Sequence, residues 1–264
     1  MQDNQQPVFS LTNVSFSHGK NKVLSDIDLT IKSGAFYGLV GPNGSGKTTL
    51  LDLLSNHYQP QHGTIQLHGN DLCSFSTSVL ARHLALVPQE FSLGFDFSVF
   101  DVVLMGRHPH IPRFANPTEH DLSMVDKALK QLDILGLKDR LVTELSGGEK
   151  QRVVVARALA QDTDVLILDE ATSNLDIHHT IRIMKVVRQK TRTANVTVIA
   201  AIHDLNLASS FCDELIVLKD SRLFKKGAVS ELITPKLIQE VFSVEANIVK
   251  DTQQSTPRIF FNLN

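Results

Sequence analysis

The stretch Gly41-Pro42-Asn43-Gly44-Ser45-Gly46-Lys47-Thr48-Thr49 restricts what this chain can become more than any other. It fits the pattern G-x-x-x-x-G-K-[ST] and lies between two interpretable segments. Before it, Ala35 to Val40 is a short, mostly apolar run, readable as a buried strand. After it, Leu50, Leu51, Leu53 and Leu54 supply an apolar helical face. Strand, glycine loop and helix together describe a phosphate cradle. Gly41, Gly44 and Gly46 leave room for crowded anionic oxygens and tolerate positive φ. Backbone N–H groups then converge as an anion nest at the positive end of a helix beginning near Lys47. Lys47 adds a full charge for β- and γ-phosphates, and the Thr48 hydroxyl is a ligand for Mg²⁺. A fortuitous glycine-rich turn is the competing interpretation, and the flanking strand and helix count against it.

Bulk properties exclude several classes. The 264 residues suffice for one large domain or for a domain with an inserted lobe. A net charge of -2 argues against a general nucleic-acid binder, which is normally basic. No apolar run approaches the roughly 18–20 residues of a membrane span, so membrane contact is expected only through a partner protein. Met1 to Pro7 is polar, without a basic-then-apolar leader. Cys73 and Cys212 have neither metal-ligand nor CxxC spacing, and reduced thiols are expected.

Along the chain, Val8 to Phe16 and Asp26 to Ile31 alternate as strands around a turn at Ser17 to Asn21, suggesting a small antiparallel sheet. Thr64 to Leu67 and Leu84 to Val87 read as further strands, the latter ending at Pro88 with Gln89 next. From Glu90 to about Leu145 the character changes: phenylalanines cluster in sequence, prolines punctuate, and Leu122 to Leu135 has helical spacing. This reads as a mainly helical insertion. Parallel-sheet character returns at Val165 to Leu168 and at Val196 to Ala201, with two short strands near Glu214 to Leu218 and Leu223 to Lys225. The tail from about Glu231 shows one helical pattern and then irregular or strand-like sequence.

Val165 to Leu168 delivers Asp169 and Glu170 at its carboxyl end, the edge where open α/β sheets bind ligands. Asp169 would hold Mg²⁺, directly or through water, leaving Glu170 to polarise an attacking water. Two adjacent carboxylates beside a triphosphate imply the cation. The structural alternative is a strand that merely exits into a charged helix start.

Leu145-Ser146-Gly147-Gly148-Glu149-Lys150-Gln151-Arg152 resembles the signature sequence of ATP-binding-cassette (ABC) ATPases. Physically it is a second helix start able to receive an anion. The resemblance implies an α/β phosphate-loop NTPase fold of the RecA type, with an N-terminal antiparallel β subdomain and an inserted α-helical subdomain. It implies one nucleotide-binding domain over 1–264. Its core and β part would occupy 1–89 and 159–230, its helical part 90–158, and its tail 231–264. In this family the signature of one subunit (here Ser146, Gly147, Gly148 and Glu149) covers the nucleotide of a second, giving a head-to-tail homodimer around two ATPs.

Further positions follow from the same resemblance. Gln89 matches the Q-loop glutamine near metal and γ-phosphate. Ser173-Asn174-Leu175-Asp176 resembles the D-loop, with Asp176 its acidic member, and His203 resembles the switch histidine. The metal ligands implied are Thr48, Gln89 and Asp169. The catalytic set is Glu170, His203, Gln89 and Lys47, and the nucleotide site spans Gly41, Pro42, Asn43, Gly44, Ser45, Gly46, Lys47, Thr48 and Thr49. Two positions depart from the family pattern. His18, with Phe16 nearby, occupies the slot where an aromatic residue, most often tyrosine, usually stacks on adenine. Ala171 stands where proline is common.

Phe100 to Pro109, His203 to Ala208 and the tail from Thr234 to Ala246 are similar to ATPase subunits of importers for ferric siderophores, haem and cobalamin. That similarity implies two membrane-spanning permease subunits, contacted through residues 90–113, and indirectly a substrate-binding protein. It places the chain peripherally at the cytoplasmic face of the membrane, with no nucleic-acid partner. A cassette ATPase without a membrane partner, an importer ATPase for a metal ion or oxyanion, and an exporter ATPase are the competing expectations.

Overall fold

The computed structural model describes residues 7–91, 95–172, 175–250 and 256–262. The chain divides into two compact units. One is built from the first 74 residues together with those from Thr197 onward; the other is Phe75–Val196.

The first unit begins with two long strands, β1 (Pro7–His18) and β2 (Asn21–Lys32), joined by a turn at Gly19 and Lys20. Gly19 adopts φ 59°, as a two-residue hairpin turn requires. The alternation Ile27, Leu29, Ile31 buried against Asp26, Asp28, Thr30 exposed is what a half-buried antiparallel strand demands. After β3 (Phe36–Val40) and α1 (Lys47–Leu54), β4 (His62–Leu67) pairs with the other edge of β1. The two-residue β5 (Asn70–Asp71) completes a four-stranded sheet in the order β2-β1-β4-β5.

The second unit opens with α2 (Thr77–His83), β6 (Leu84–Val87), α3 (Val99–Leu104) and a 3₁₀ turn at Met105–Arg107. Next come α4 (Glu119–Gln131), α5 (Gly147–Gln161), β7 (Val165–Asp169) and α6 (Ile177–Ala194). Strands β6 and β7 are parallel, with Leu84 opposite Val165 and Val87 opposite Leu168. The helices bury Val102, Val103, Val125, Leu129, Val153 and Val155 against one another. Serine, threonine or aspartate caps α2, α3, α4, α5 and α6, so most helix starts of this unit are legible from single residues.

The chain then returns to the first unit through β8 (Thr197–Ala201), α7 (Leu205–Phe211), β9 (Glu214–Lys219) and β10 (Arg222–Ala228). Here β3 lies between β8 and β9 and parallel to both, and β10 is the antiparallel edge beyond β9. Every residue of β3 and β8 is buried, explaining their uninterrupted apolar character. The tail forms α8 (Val229–Leu232), α9 (Pro235–Phe242) and a hairpin of β11 (Ala246–Lys250) with β12 (Pro257–Phe261). Asn206 of α7 clasps that hairpin, its amide donating to the Ile259 carbonyl (3.1 Å) and accepting from the Ile259 N–H (2.8 Å).

Candidate functional site

In the first unit β3 runs straight into the glycine loop, and α1 begins at Lys47. A methyl group on Gly41 would fall 2.2 Å from the Leu218 carbonyl oxygen, so only glycine lets the loop leave the sheet there. Gly46 is the N-cap of α1 at φ 98°, and a methyl there would lie 2.6 Å from Leu24 Cδ2. No side chain caps this helix, and its first turn holds no acid. The N-cap residue itself therefore claims none of the first N–H groups of α1. Ser45 is buried, and its hydroxyl has no partner among the described residues. The buried Lys47 folds back over the loop, its Nζ donating to the carbonyls of Gly41 (2.9 Å) and Pro42 (3.1 Å). Asn43, Gly44 and Thr48 are exposed, Pro42 is half-buried and Thr49 is buried. An ammonium, an orphaned hydroxyl and an uncapped helix start around a tight loop form a cradle suited to phosphate.

Beside α1 stands an aromatic corner. The exposed His18 ring meets Phe16 edge-on at 5.0 Å and Tyr58 edge-on at 5.3 Å, while Phe16 and Tyr58 stack at 5.3 Å. Phe16 is only 8% exposed, so it supports the corner rather than facing a ligand. His18 and the half-buried Tyr58 remain for a flat apolar group. Tyr58 was missed by sequence reasoning; the one signal available was an aromatic residue soon after the loop helix. Burial pushes the Asp52 carboxyl up, opposed by the nearby His57 and His18 rings.

His203 also belongs to this unit. It is exposed, two positions past the end of β8, and Asp204 beside it caps α7 by accepting from the N–H groups of Asn206 (2.8 Å) and Leu207 (3.2 Å).

The second unit carries the carboxylates. Asp169 is buried at the end of β7, and Glu170 follows at φ 50°, a left-handed conformation costing a non-glycine residue about 1–3 kcal/mol. Because Val87 and Leu168 are opposite each other, Gln89 and Glu170 each stand two residues past paired positions. The register thus brings them together: the Gln89 amide donates to Glu170 Oε2 at 3.1 Å. With its nitrogen so engaged, Gln89 presents its carbonyl oxygen as the remaining polar end. A hydroxyl, a carboxylate and an amide oxygen are hard oxygen donors of the kind Mg²⁺ takes, so Thr48, Asp169 and Gln89 fit that cation by chemistry.

Ser146 heads α5. Its hydroxyl accepts from the Glu149 N–H (3.4 Å) and donates to Glu149 Oε2 (2.7 Å), and its own N–H donates to the same oxygen (2.9 Å). These bonds hold the Glu149 carboxyl below its ordinary value. Ser146 and Gly147 are exposed, Gly148 and Glu149 half-buried. A methyl on Gly148 would meet Leu175 Cδ2 at 3.3 Å. Asp176 caps α6, accepting from the His179 N–H at 2.9 Å, which keeps its carboxyl low. Ser173 and Asn174 lie outside the described residues. Lys47, Thr48, His18 and His203 thus belong to one unit, and Gln89, Asp169, Glu170, Ser146 and Asp176 to the other.

A glycine loop between a buried strand and an uncapped helix, with acids at a parallel strand's carboxyl end, defines a phosphate-loop nucleotide-binding protein. Residues 24–173 match the ABC transporter family, and the chain belongs to it. It is 43% identical over 230 residues to a cobalamin import ATP-binding protein of Halobacterium salinarum, covering 87% of this chain and 57% of that protein. The chain therefore spans little more than half the length of that relative. It is 34% identical over 246 residues to the ferric enterobactin transport ATP-binding protein of Escherichia coli, covering 93% of this chain and 91% of the relative. Among solved structures, an inward-facing ABC transporter assigned to the metal-chelate type superposes with a TM-score of 0.82 at 27% identity, covering 97% and 98% of the two chains. Among the described residues no helix is long and apolar enough to cross a membrane.

Proposed function

We propose that this chain is the ATP-hydrolysing subunit of an importer that carries a ferric siderophore, or a related chelate such as haem or cobalamin, across the cytoplasmic membrane. The observation that carries this reading is the pairing of two helix starts in one polypeptide, the open one at Gly46 and the exposed one at Ser146. One nucleotide needs one such start. The second serves a second copy, so the working form is a homodimer closed around two ATPs.

In each site Lys47 and the loop N–H groups hold the triphosphate, with His18 against the base. Thr48, Asp169 and Gln89 would hold Mg²⁺, which supplies the charge that lets two carboxylates stand beside a triphosphate. Glu170 accepts a proton from the attacking water and orients it in line with the γ-phosphorus. His203 contacts the γ-phosphate from the same chain, and Ser146 with Gly148 reaches it from the second copy. Catalysis then rests on fixed donors and positive charge around the transferred group. Loss of the γ-phosphate removes the contacts that hold the dimer shut, so hydrolysis reopens it.

The partner surface is the lobe at residues 90–113. Phe95 and Phe114 are 77% and 95% exposed in and beside it, an apolar contribution of the sort a permease contact uses. The chain would sit at the cytoplasmic face as a peripheral subunit, and a substrate-binding protein would engage the other side. Cobalamin is a second cargo supported by a specific finding, the identity to the Halobacterium salinarum protein.

Replacing Glu170 with Gln tests the enzyme. Turnover should fall by about 10²–10⁴-fold while ATP-bound dimer accumulates. A variant that still hydrolyses at the wild-type rate removes the role given to Glu170. Cargo is tested by deleting the gene and comparing uptake of labelled ferric siderophore, haem and cobalamin; uptake of all three at wild-type rates would overturn the metal-chelate assignment.

A further inference from the structure

The segment Gly106-Arg107-His108-Pro109, which closes the stretch similar to chelate importers, carries a buried charge together with His110 beside it. Arg107 is 4% exposed, as buried as an apolar core residue. Its Nε donates to Asp121 Oδ1 at 3.0 Å, and its Nη1 donates to the Ala160 carbonyl at 2.7 Å and the Gln161 carbonyl at 3.4 Å. Those carbonyls are the last of α5, which ends at Asp162 in a left-handed conformation. A helix's final carbonyls lack intrahelical partners and carry the negative end of its dipole, so a buried guanidinium there is both cap and counter-charge.

The same helix end is held from two more directions. His110 Nε2 lies 2.8 Å from the Gln161 carbonyl. The Gln161 amide donates to the carbonyls of Ala81 (2.7 Å) and Leu84 (2.9 Å), at the junction of α2 with the strand leading to Gln89. Arg82 of α2 donates in turn to the Pro109 carbonyl at 2.8 Å. Gly106 packs backbone to backbone on α5: a methyl there would fall 2.2 Å from the Arg157 carbonyl oxygen. The lobe segment, α4 through Asp121, and the approach to Gln89 all converge on the carboxyl end of α5.

We infer that Arg107 is a positioning residue: by locking the carboxyl end of α5 to Asp121 and to the 107–110 turn, it fixes where Ser146 stands at the other end of the same helix. This rests on the reading of Ser146 as a nucleotide contact made to a second copy. An α-helix of 15 residues is a rod of about 22 Å, so a small tilt at its capped end displaces its start. Movement of the lobe against a partner would reach Ser146 through this lock, and closure on ATP would reach the lobe by the reverse route. The Asp121 side of the lock is charged at neutral pH. Hydrogen bonds from the Thr118 hydroxyl and N–H, and then the Arg107 guanidinium, bring its carboxyl down to about 2. Lysine cannot reproduce the arrangement, because one ammonium cannot present the planar fork that spans a carboxylate and two carbonyls.

The test uses the full-length chain with ATP and magnesium. Arg107→Met, Arg107→Lys and Asp121→Asn are compared with wild type for turnover per titrated nucleotide site, for KM, and, in a Glu170→Gln background, for ATP-dependent dimer by light scattering. Misplacement of Ser146 by about 1 Å should lower turnover in Arg107→Met by roughly 10- to 100-fold with KM within about twofold, and lysine should restore part of it. ATP-dependent dimer should weaken in the same order. Lower thermal stability with turnover per site and dimer unchanged would overturn the inference, leaving Arg107 a purely structural residue. If Arg107→Met does not fold, Asp121→Asn, which keeps the side-chain volume, carries the same comparison: wild-type turnover and dimer in that variant would overturn it. Absence of hydrolysis and of ATP-dependent dimer in the wild-type chain would instead sink the functional reading beneath it.

Discussion

The start of α1 and the start of α5 are finished in opposite ways. Every described α-helix of six residues or more except α1 has a serine, threonine or aspartate side chain closing its first turn. At α1 that place belongs to Gly46, which offers nothing, while Lys47 brings a buried positive charge. At α5 Ser146 and Glu149 satisfy each other and set a carboxylate at the mouth of the site. The first site is thus preorganised for an anion. The second holds itself together without one, and an anion arriving there would share Ser146 with a resident negative charge. On the proposed function, such a site would be weak alone and would be filled only when the rest of a closed dimer delivers a phosphate to it.

The comparison can be broken most decisively at Lys47. Lys47→Ala removes the only full positive charge on the glycine loop, and turnover should fall by about 10²–10³-fold with nucleotide binding weakened alongside; calorimetric titration with ATP checks the second part. Retained tight binding would mean that the uncapped N–H groups suffice. Ser146→Arg should split the two sites. Nucleotide affinity of the single chain should stay within about twofold, since the loop is untouched, while ATP-dependent dimer in a Glu170→Gln background should drop by at least about tenfold. Light scattering with and without ATP decides it, and joint loss of both properties would mean the sites are not separable. A smaller effect is expected at the aromatic corner. His18→Ala should weaken adenine nucleotides by roughly 3- to 10-fold, the value of one aromatic contact, and should leave inorganic triphosphate binding unchanged.

What could be read in the sequence was whatever a short window decides. The glycine loop, the strand ending at Asp169 and the Ser146 cap depend on neighbours within a few residues, and each is where the residues indicate. The tail's strand-like character corresponds to β11 and β12, but their antiparallel pairing was not read from the sequence. Contacts between distant segments were not legible either. Gln89 meets Glu170 across 81 positions because β6 and β7 are in register, and sequence alone carries no register for parallel strands. Tyr58 joins His18 only once α1 has turned back beside the hairpin of β1 and β2. Arg107 entered the sequence reading only as part of the segment Phe100 to Pro109, and nothing local marked it for burial, since arginine is seldom buried unless paired. The pair and the two carbonyls that bury it come from 14, 53 and 54 positions away.

The smallest expected effect sharpens the comparison furthest. Glu149→Gln keeps both hydrogen bonds of the capping box, because glutamine serves at that position, and removes only the charge. The carboxyl of Glu149 is held low chiefly by the Ser146 hydroxyl and N–H, with Arg140 and Arg152 adding to it. A group with a lowered folded value stabilises the fold fully above its ordinary value of 4.5 and loses that contribution as pH falls through the folded value. Wild type should therefore exceed Glu149→Gln by about 0.3–1 kcal/mol at neutral pH, the worth of an acid in the first turn, with the gap closing below about pH 4.5. Urea denaturation at a series of pH values measures it. The same substitution should have the opposite sign on function: with the resident charge gone, ATP-dependent dimer in a Glu170→Gln background should form at several-fold lower nucleotide concentration. Weaker dimer in the less stable variant would mean that the carboxylate assists the phosphate's arrival, for instance by holding Ser146 in the rotamer that receives it, and that the two helix starts differ in stability rather than in readiness for an anion.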